Sequence, residues 1–341
     1  MSTYDLATLH REGPFVLPVD DWDRASADIR SRWEATLGAL PPPMGPRHEV
    51  LDVTRMSDHE RITLRYRTSD GDLVPARLLV PLGDRSGAGV MALHPTVASG
   101  KDDVATAEGR DGRRYGLDLV RRGHVVLAPD TITAGERVVP GSEPYHTAGF
   151  VAAHPKLSPM GKIAADHRQG VSVLAAWPGV DPARIGAIGH SLGGYNAWFL
   201  ATIDPRIAAV VSSCGYATFA GDADLHHWGT RDWFSHFPRL SALLEQGTVP
   251  FEFHEVMALV APRPMFSWVA MADQYFPNWL DSTRGLEQVR RLYERLGRAD
   301  DFVTWVGHGP HDFPPHVAET AYRFLDHHLA GPSSEGDGRR D

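Results

Sequence analysis

Arg184-Ile-Gly-Ala-Ile-Gly-His-Ser-Leu-Gly-Gly-Tyr-Asn-Ala-Trp-Phe-Leu200 is the stretch on which the reading of this chain turns. It opens on a short apolar run, Ile185–Ile188, of strand character. It closes on Ser191–Thr202, where Ala197, Trp198, Leu200 and Ala201 suit a helix packed on a core. Between them, Gly189-His190-Ser191-Leu192-Gly193 has the form G-x-S-x-G. A serine on a sharp strand-to-helix turn holds its hydroxyl clear of the backbone, at the cost of strained φ/ψ angles. Residues two positions to either side must then be small. The helix that follows aims its first N–H groups at negative charge developing beside the serine. The five-residue pattern alone is common, and a tight turn without chemistry is the plain alternative. The strand before it and the helix after it favour a nucleophile.

Outward from this turn the same alternation continues. Val90–Leu93, Val125–Ala128, Ala208–Ser212, Met265–Ala270 and Phe302–Val306 read as strands. Arg113–Arg122, Lys162–Trp177, Thr283–Leu296 and Val317–Leu329 read as helices. Such alternation predicts an α/β fold: a mostly parallel central sheet with helices on both faces. Upstream, Val50–Val53, Arg61–Arg67 and Leu73–Val80, broken by Ser69-Asp70-Gly71-Asp72, predict N-terminal antiparallel strands. Before them, Trp22, Ala25, Ile29, Trp33 and Leu37 lie at helical spacing and stop at Pro41-Pro42-Pro43. The connections Thr131–Pro159 and Tyr216–Ala261 are too long for turns, and are expected to leave the carboxyl edge of the sheet as caps over a pocket. The expected organisation is a helical extension over 1–45, one α/β domain over 46–330 with cap insertions at about 131–160 and 216–261, and a disordered tail over 331–341.

Composition sets outer limits. Apolar residues make up 42% and charged residues 23% of 341, enough for a large core. The net charge of −9, with both signs mixed along the chain, gives no footprint for nucleic acid. No run of apolar residues is long enough to span a membrane. A single cysteine, Cys214, excludes an intrachain disulfide, and Met1–Asp20 lacks the pattern of a signal peptide, so a cytoplasmic protein is expected. The chain uses arginine over lysine, with only Lys101, Lys156 and Lys162; nothing functional follows from that at this level.

A serine hydroxyl needs an adjacent base. On a fold of this kind the partners follow in the order acid, then histidine. Asp273 comes just after the strand Met265–Ala270, and His311 lies in the loop after Phe302–Val306. His308 is the rival histidine, directly at the strand exit; His311 is preferred because a catalytic imidazole needs the reach of a loop. Asp281, Asp300 and Asp312 are poorer acids by position, and His316 falls in the helix. The oxyanion donors are expected from the N–H of Leu192 and, because Pro95 has none, the N–H of Thr96, with Val97 as the alternative. His94 is expected to shape its loop rather than to act chemically.

These features resemble the dienelactone-hydrolase-like and acetyl-xylan-esterase-like branch of the α/β-hydrolase superfamily. The resemblance rests on Leu93-His94-Pro95-Thr96 with Gly100-Lys101, on Gly123-His-Val-Val-Leu-Ala-Pro-Asp130 with Gly135-Glu136-Arg137, on Val180-Asp181-Pro-Ala-Arg184 leading into the serine turn, and on Leu259-Val-Ala-Pro-Arg-Pro264. It implies a cofactor-free serine esterase with Ser191, Asp273 and His311 as its triad, acting on a small-molecule ester through an acyl-enzyme. Acyl transfer or cyclisation on the same triad is the alternative; a peptidase or a non-catalytic ligand-binding homologue fits less well. A homodimer is left open.

Two constellations remain. Asp222, Asp224, His226 and His227 offer metal-ligand chemistry, as do His308, His311 and His316. Neither group has a closed metal-binding spacing, and no metal is expected. The second insertion is rich in aromatics, of which Tyr216, Trp228, Trp233 and Phe234 are expected on the substrate wall, a small core under the loop being the alternative. Cys214, ending an apolar strand, is expected to be buried and inert.

Overall fold

The computed structural model describes residues 3–224 and 226–331. The expected tail, except Gly331, lies outside the described residues. In chain order the main strands are β1 (His48–Arg55), β2 (His59–Arg67), β3 (Leu73–Pro81), β4 (Gly89–Leu93), β5 (Val125–Pro129), β6 (Ile185–His190), β7 (Ile207–Ser213), β8 (Met265–Ala270) and β9 (Phe302–Gly307). They form one sheet in the order β9-β8-β7-β6-β4-β5-β3-β2-β1. The pairs β1–β2, β2–β3 and β3–β5 are antiparallel; the others are parallel. Burial explains the difference. β4, β5, β6 and β8 are buried at every residue, as strands covered on both faces must be. β1 is exposed at nearly every residue and forms one edge.

The helices are α1 (Trp22–Leu37), α2 (Tyr115–Arg121), α3 (Pro159–Ala175), α4 (Leu192–Ile203), α5 (Trp279–Arg295) and α6 (Pro315–His328), besides shorter ones. Two apolar clusters lie on opposite faces of the sheet. Tyr115, Leu119, Val317 and Leu325, from α2 and α6, share one with Val90, Ile188 and Val211. Trp33, Ile163, Trp198 and Val289, from α1, α3, α4 and α5, share the other with Met91, Ala187 and Val210. None of the described helices is long and apolar enough to cross a membrane.

The N-terminal segment is tied to the second insertion rather than standing apart. Tyr4–Asp5 pairs antiparallel with Thr248–Val249. Trp33 is fully buried against Phe199, Phe237 and Phe251, and its indole N–H donates to Thr202 Oγ1 at 2.8 Å. Truncating it to alanine would cost about 3–5 kcal/mol.

Two of the three lysines are buried in carboxylate cages. Lys101 Nζ donates to Asp130 Oδ2 at 2.7 Å and Glu136 Oε1 at 2.6 Å. Lys162 Nζ meets Asp70, Asp72 and Asp166 at 2.6–2.9 Å, and Arg137 joins Asp166 and Asp72 from the other side. These cages fasten the start of the first insertion to the loop after β4 and to the β2–β3 turn. Removing Lys101 would strand the fully buried Asp130 carboxylate, at a cost of about 3–5 kcal/mol.

Strand order reverses at β4: the chain runs from β4 to β5 on one side, then crosses to β6 on the other, with all three strands parallel. Open α/β sheets bind ligands at the carboxyl ends of the strands flanking such a reversal. Leu93 and Gly189 are in register there.

Candidate active site

Ser191 follows β6 directly and has φ 56° and ψ −121°. A non-glycine residue in such a region costs about 1–3 kcal/mol and persists only where its surroundings enforce it. The enforcement is visible. The Ser191 N–H donates to Ser213 O at 2.8 Å, and the Tyr195 N–H donates to Ser191 O at 3.1 Å as the first turn of α4 closes. A Cβ on Gly189 would lie 2.1 Å from the Gly193 carbonyl carbon, and one on Gly193 would lie 1.8 Å from Leu93 O. The glycines are therefore required by backbone-to-backbone contact, which brings the helix start against the end of β4.

Asp273 and His311 are joined. His311 Nδ1 donates to Asp273 Oδ2 at 2.6 Å. The other oxygen, Oδ1, accepts the Tyr275 and Phe276 N–H groups at 2.8 and 3.0 Å, so a turn of its own chain fixes the carboxylate. That leaves His311 Nε2 as the free ring nitrogen. His311 lines a cavity of about 610 Å³ together with Ser191 and Thr96. Ser191 Oγ makes no hydrogen bond to the imidazole within 3.5 Å; such contacts are often long without substrate. His308 is exposed and does not line this cavity, and His316 packs beside Trp305 on the surface.

The loop after β4 brings Thr96 to the cavity. His94 Nδ1 donates to Pro95 O at 2.8 Å, and His94 Nε2 accepts the Thr131 N–H at 3.1 Å. Burial pushes this imidazole below its ordinary pKa, in keeping with a neutral structural link. The Val97 N–H donates to Tyr145 Oη at 2.9 Å and is thus occupied. No such bond holds the N–H of Thr96 or of Leu192 among the described residues.

Several residues that sequence reasoning passed over complete the site. Arg113 donates to Asp312 Oδ1 at 2.6 Å and to His311 O at 3.4 Å, gripping the histidine loop. Burial would raise the Asp312 carboxyl, but Arg113 outweighs that and holds it below its ordinary value. The Trp268 indole N–H donates to Asp312 O at 2.9 Å. His190 is buried beside His311, ring centroids 4.7 Å apart, with Nδ1 on Ser213 Oγ. Burial, and after it Arg113, pushes His190 well below the ordinary histidine range. Arg110, Arg231, Tyr275 and Phe276 also line the cavity, together with Asp222 and His227, which the sequence offered as metal ligands.

The aromatic expectations divide. Trp233 and Phe234 line the cavity. Trp228 and Tyr216 do not, which corrects their assignment to the substrate wall. Trp228 packs on Phe253 (4.4 Å) and Tyr195 (5.4 Å), and Tyr216 on Trp198 (6.5 Å), so both belong to the core beneath the insertion. Bulk and hydrophobicity suit both places, so sequence alone did not separate them.

Cys214, Asp273 and His311 form a close group of candidate metal ligands, with ligand atoms within 4.8 Å. Their donor set argues against that use. Nδ1 and Oδ2 already bond each other, and burial raises the Cys214 thiol pKa, away from the thiolate a metal needs.

Sheet order and the strained serine after β6 define an α/β-hydrolase fold. Within it, residues 110–227 match the model of the dienelactone hydrolase family. Among curated relatives, the chain is 25% identical over 169 residues to the putative hydrolase YtaP of Bacillus subtilis, covering 48% of this chain and 52% of that protein. It is 28% identical over 165 residues to a 4-O-methyl-glucuronoyl methylesterase of Podospora anserina, covering 42% of this chain and 33% of that one. The chain thus spans about half or less of the length of these relatives. A glucuronoyl esterase from Solibacter usitatus shares the fold with a TM-score of 0.69 at 18% identity, covering 90% of this chain and 93% of that one. Acetyl xylan esterase 1 from Thermoanaerobacterium sp. does so with a TM-score of 0.56 at 18% identity, covering 95% and 98%.

Proposed function

We propose that this chain hydrolyses a carboxylic ester of a small molecule, with Ser191 as nucleophile, His311 as base and Asp273 as its orienting acid. One observation carries the reading: an imidazole locked at Nδ1 by a carboxylate, with Nε2 free, on the wall of the cavity that holds a serine at φ 56°. His311 Nε2 takes the Ser191 proton as Oγ bonds to the ester carbonyl carbon. Negative charge passes to the carbonyl oxygen, and the N–H groups of Leu192 and Thr96 stabilise it. Asp273 stabilises the imidazolium without taking its proton. The imidazolium then protonates the leaving alkoxide. Water, deprotonated by the same nitrogen, attacks the acyl-enzyme, and collapse returns the proton to Ser191 and releases the acid.

The named activities of the relatives, glucuronoyl and acetyl xylan ester cleavage, support an ester as substrate. A single buried thiol is compatible with the proposed cytoplasmic setting. The test is hydrolysis of short-chain esters followed by pH-stat, with Ser191→Ala alongside. Ester turnover by the wild type that the variant lacks supports the reading; equal turnover by the two would falsify it.

A further inference from the structure

The wall of the same cavity carries a second histidine–aspartate pair. His227 Nδ1 meets Asp222 Oδ2 at 2.9 Å, and the Asp224 N–H donates to the other Asp222 oxygen at 3.0 Å. Both side chains are mostly buried, at 14% and 8% exposure, yet both line the cavity. The His227 ring lies nearly parallel to Trp228 and to Phe276, centroids 5.2 Å away in each case. Phe276 in turn stands 5.8 Å from His311. The two imidazoles are therefore one aromatic ring apart along the same wall.

We infer that Asp222 and His227 form a substrate-recognition pair, accepting a hydrogen bond from a hydroxyl on the acyl or alcohol part of the ester. The inference rests on the esterase reading and deepens it. An ionised carboxylate only accepts, so the proton shared with Asp222 sits on Nδ1. In the neutral ring Nε2 is then an acceptor. It has no protein partner among the described residues, and it is not a sealed, orphaned atom. Stacking on two aromatic rings and the hold on Asp222 fix its direction, so little side-chain freedom is lost on binding. A fixed, unpaired acceptor on a cavity wall discriminates between ligands. A ligand with a hydroxyl there gains a bond, and one with a methylene leaves the acceptor desolvated and unmet. His236, another imidazole on the cavity wall, does not compete as an acceptor: its Nε2 accepts from Tyr195 Oη at 2.7 Å.

The experiment uses two matched ester pairs on the full chain: methyl 3-hydroxybutyrate against methyl butyrate, and glycerol 1-butyrate against propyl butyrate. Each is followed for wild type, His227→Phe, His227→Gln and Asp222→Asn. Phenylalanine keeps a flat ring between Trp228 and Phe276 but has no acceptor; glutamine restores one. In at least one pair, the hydroxylated-to-alkyl ratio of kcat/KM falls roughly tenfold in His227→Phe, mainly through KM. It falls by less than about threefold in His227→Gln, with Asp222→Asn between. Unchanged ratios in both pairs, whatever happens to absolute rates, overturn the inference and leave the pair a loop fastener. So does a glutamine variant no better than phenylalanine. Wild type turning over none of the four esters overturns the esterase reading itself, and the inference with it.

Discussion

His311 and His227 are built alike and held differently. Each passes Nδ1 to an aspartate, at 2.6 and 2.9 Å, and each lines one cavity on either side of Phe276. His311 leaves a strand of the central sheet, and its loop is gripped by Arg113, Trp268 and the turn around Asp273. His227 sits in the first part of the insertion, where the described residues of 216–237 form no helix or strand, and is held by stacking and by short-range bonds around Asp222 and Asp224. The first stands on the side of the reversal in strand order where the strained serine emerges; the second belongs to the insertion. Chemistry that demands sub-ångström placement suits the sheet's strand exits, and recognition suits side chains carried on a loop over them.

The largest expected effect separates the two most sharply. His311→Ala and Ser191→Ala should each lower kcat by roughly 10⁴-fold or more, and Asp273→Asn by about 10³–10⁴-fold, whereas His227→Ala should lower kcat/KM by only about tenfold. Steady-state kinetics on one ester decides it; a His227→Ala loss equal to that of His311→Ala breaks the comparison. Arg113→Met comes next. It frees the histidine loop without touching the reacting atoms, so kcat should drop about 10–100-fold with KM nearly constant, and Arg113→Lys should recover part of it. A change in KM alone would put Arg113 on the substrate instead.

The smallest effect concerns the base of the insertion. Buried Glu252 accepts the N–H groups of Phe219, Ala220 and Phe253. Burial pushes its pKa from 4.5 to about 7. Between these values the unfolded chain has released a proton that the folded chain keeps. Stability therefore falls as pH rises from about 4.5 to about 7 and levels off above. Thermal melts at pH 5, 6 and 7.5 should show that decline, and Glu252→Gln should lower Tm at pH 5 while flattening it. A slope unaffected by the substitution assigns it to other groups.

What the sequence made legible follows the same division. The change from period-two strands to helical spacing exposed the sheet and the Ser191 turn. Once strand order was read, Asp273 and His311 were found by counting strand exits. Arg113 and Tyr145 had no such address: Arg113 reaches His311 across 198 residues, and Tyr145 reaches Val97 across 48. In the insertion, no periodicity told Trp233 on the wall from Trp228 in the core. In the sequence Asp222 and His227 stand only as candidate metal ligands without a closed spacing, because spacing alone does not reveal that they bond to each other. The scarcity of lysine was visible, but the carboxylate cages around Lys101 and Lys162 exist only once distant loops have met.

The central claim is that Ser191 is a nucleophile activated by His311. Labelling with a fluorophosphonate, mapped by peptide mass spectrometry, tests it most directly. The label should fall on Ser191, be absent in Ser191→Ala and form far more slowly in His311→Ala. Label on another residue, or an undiminished rate without His311, would contradict the account.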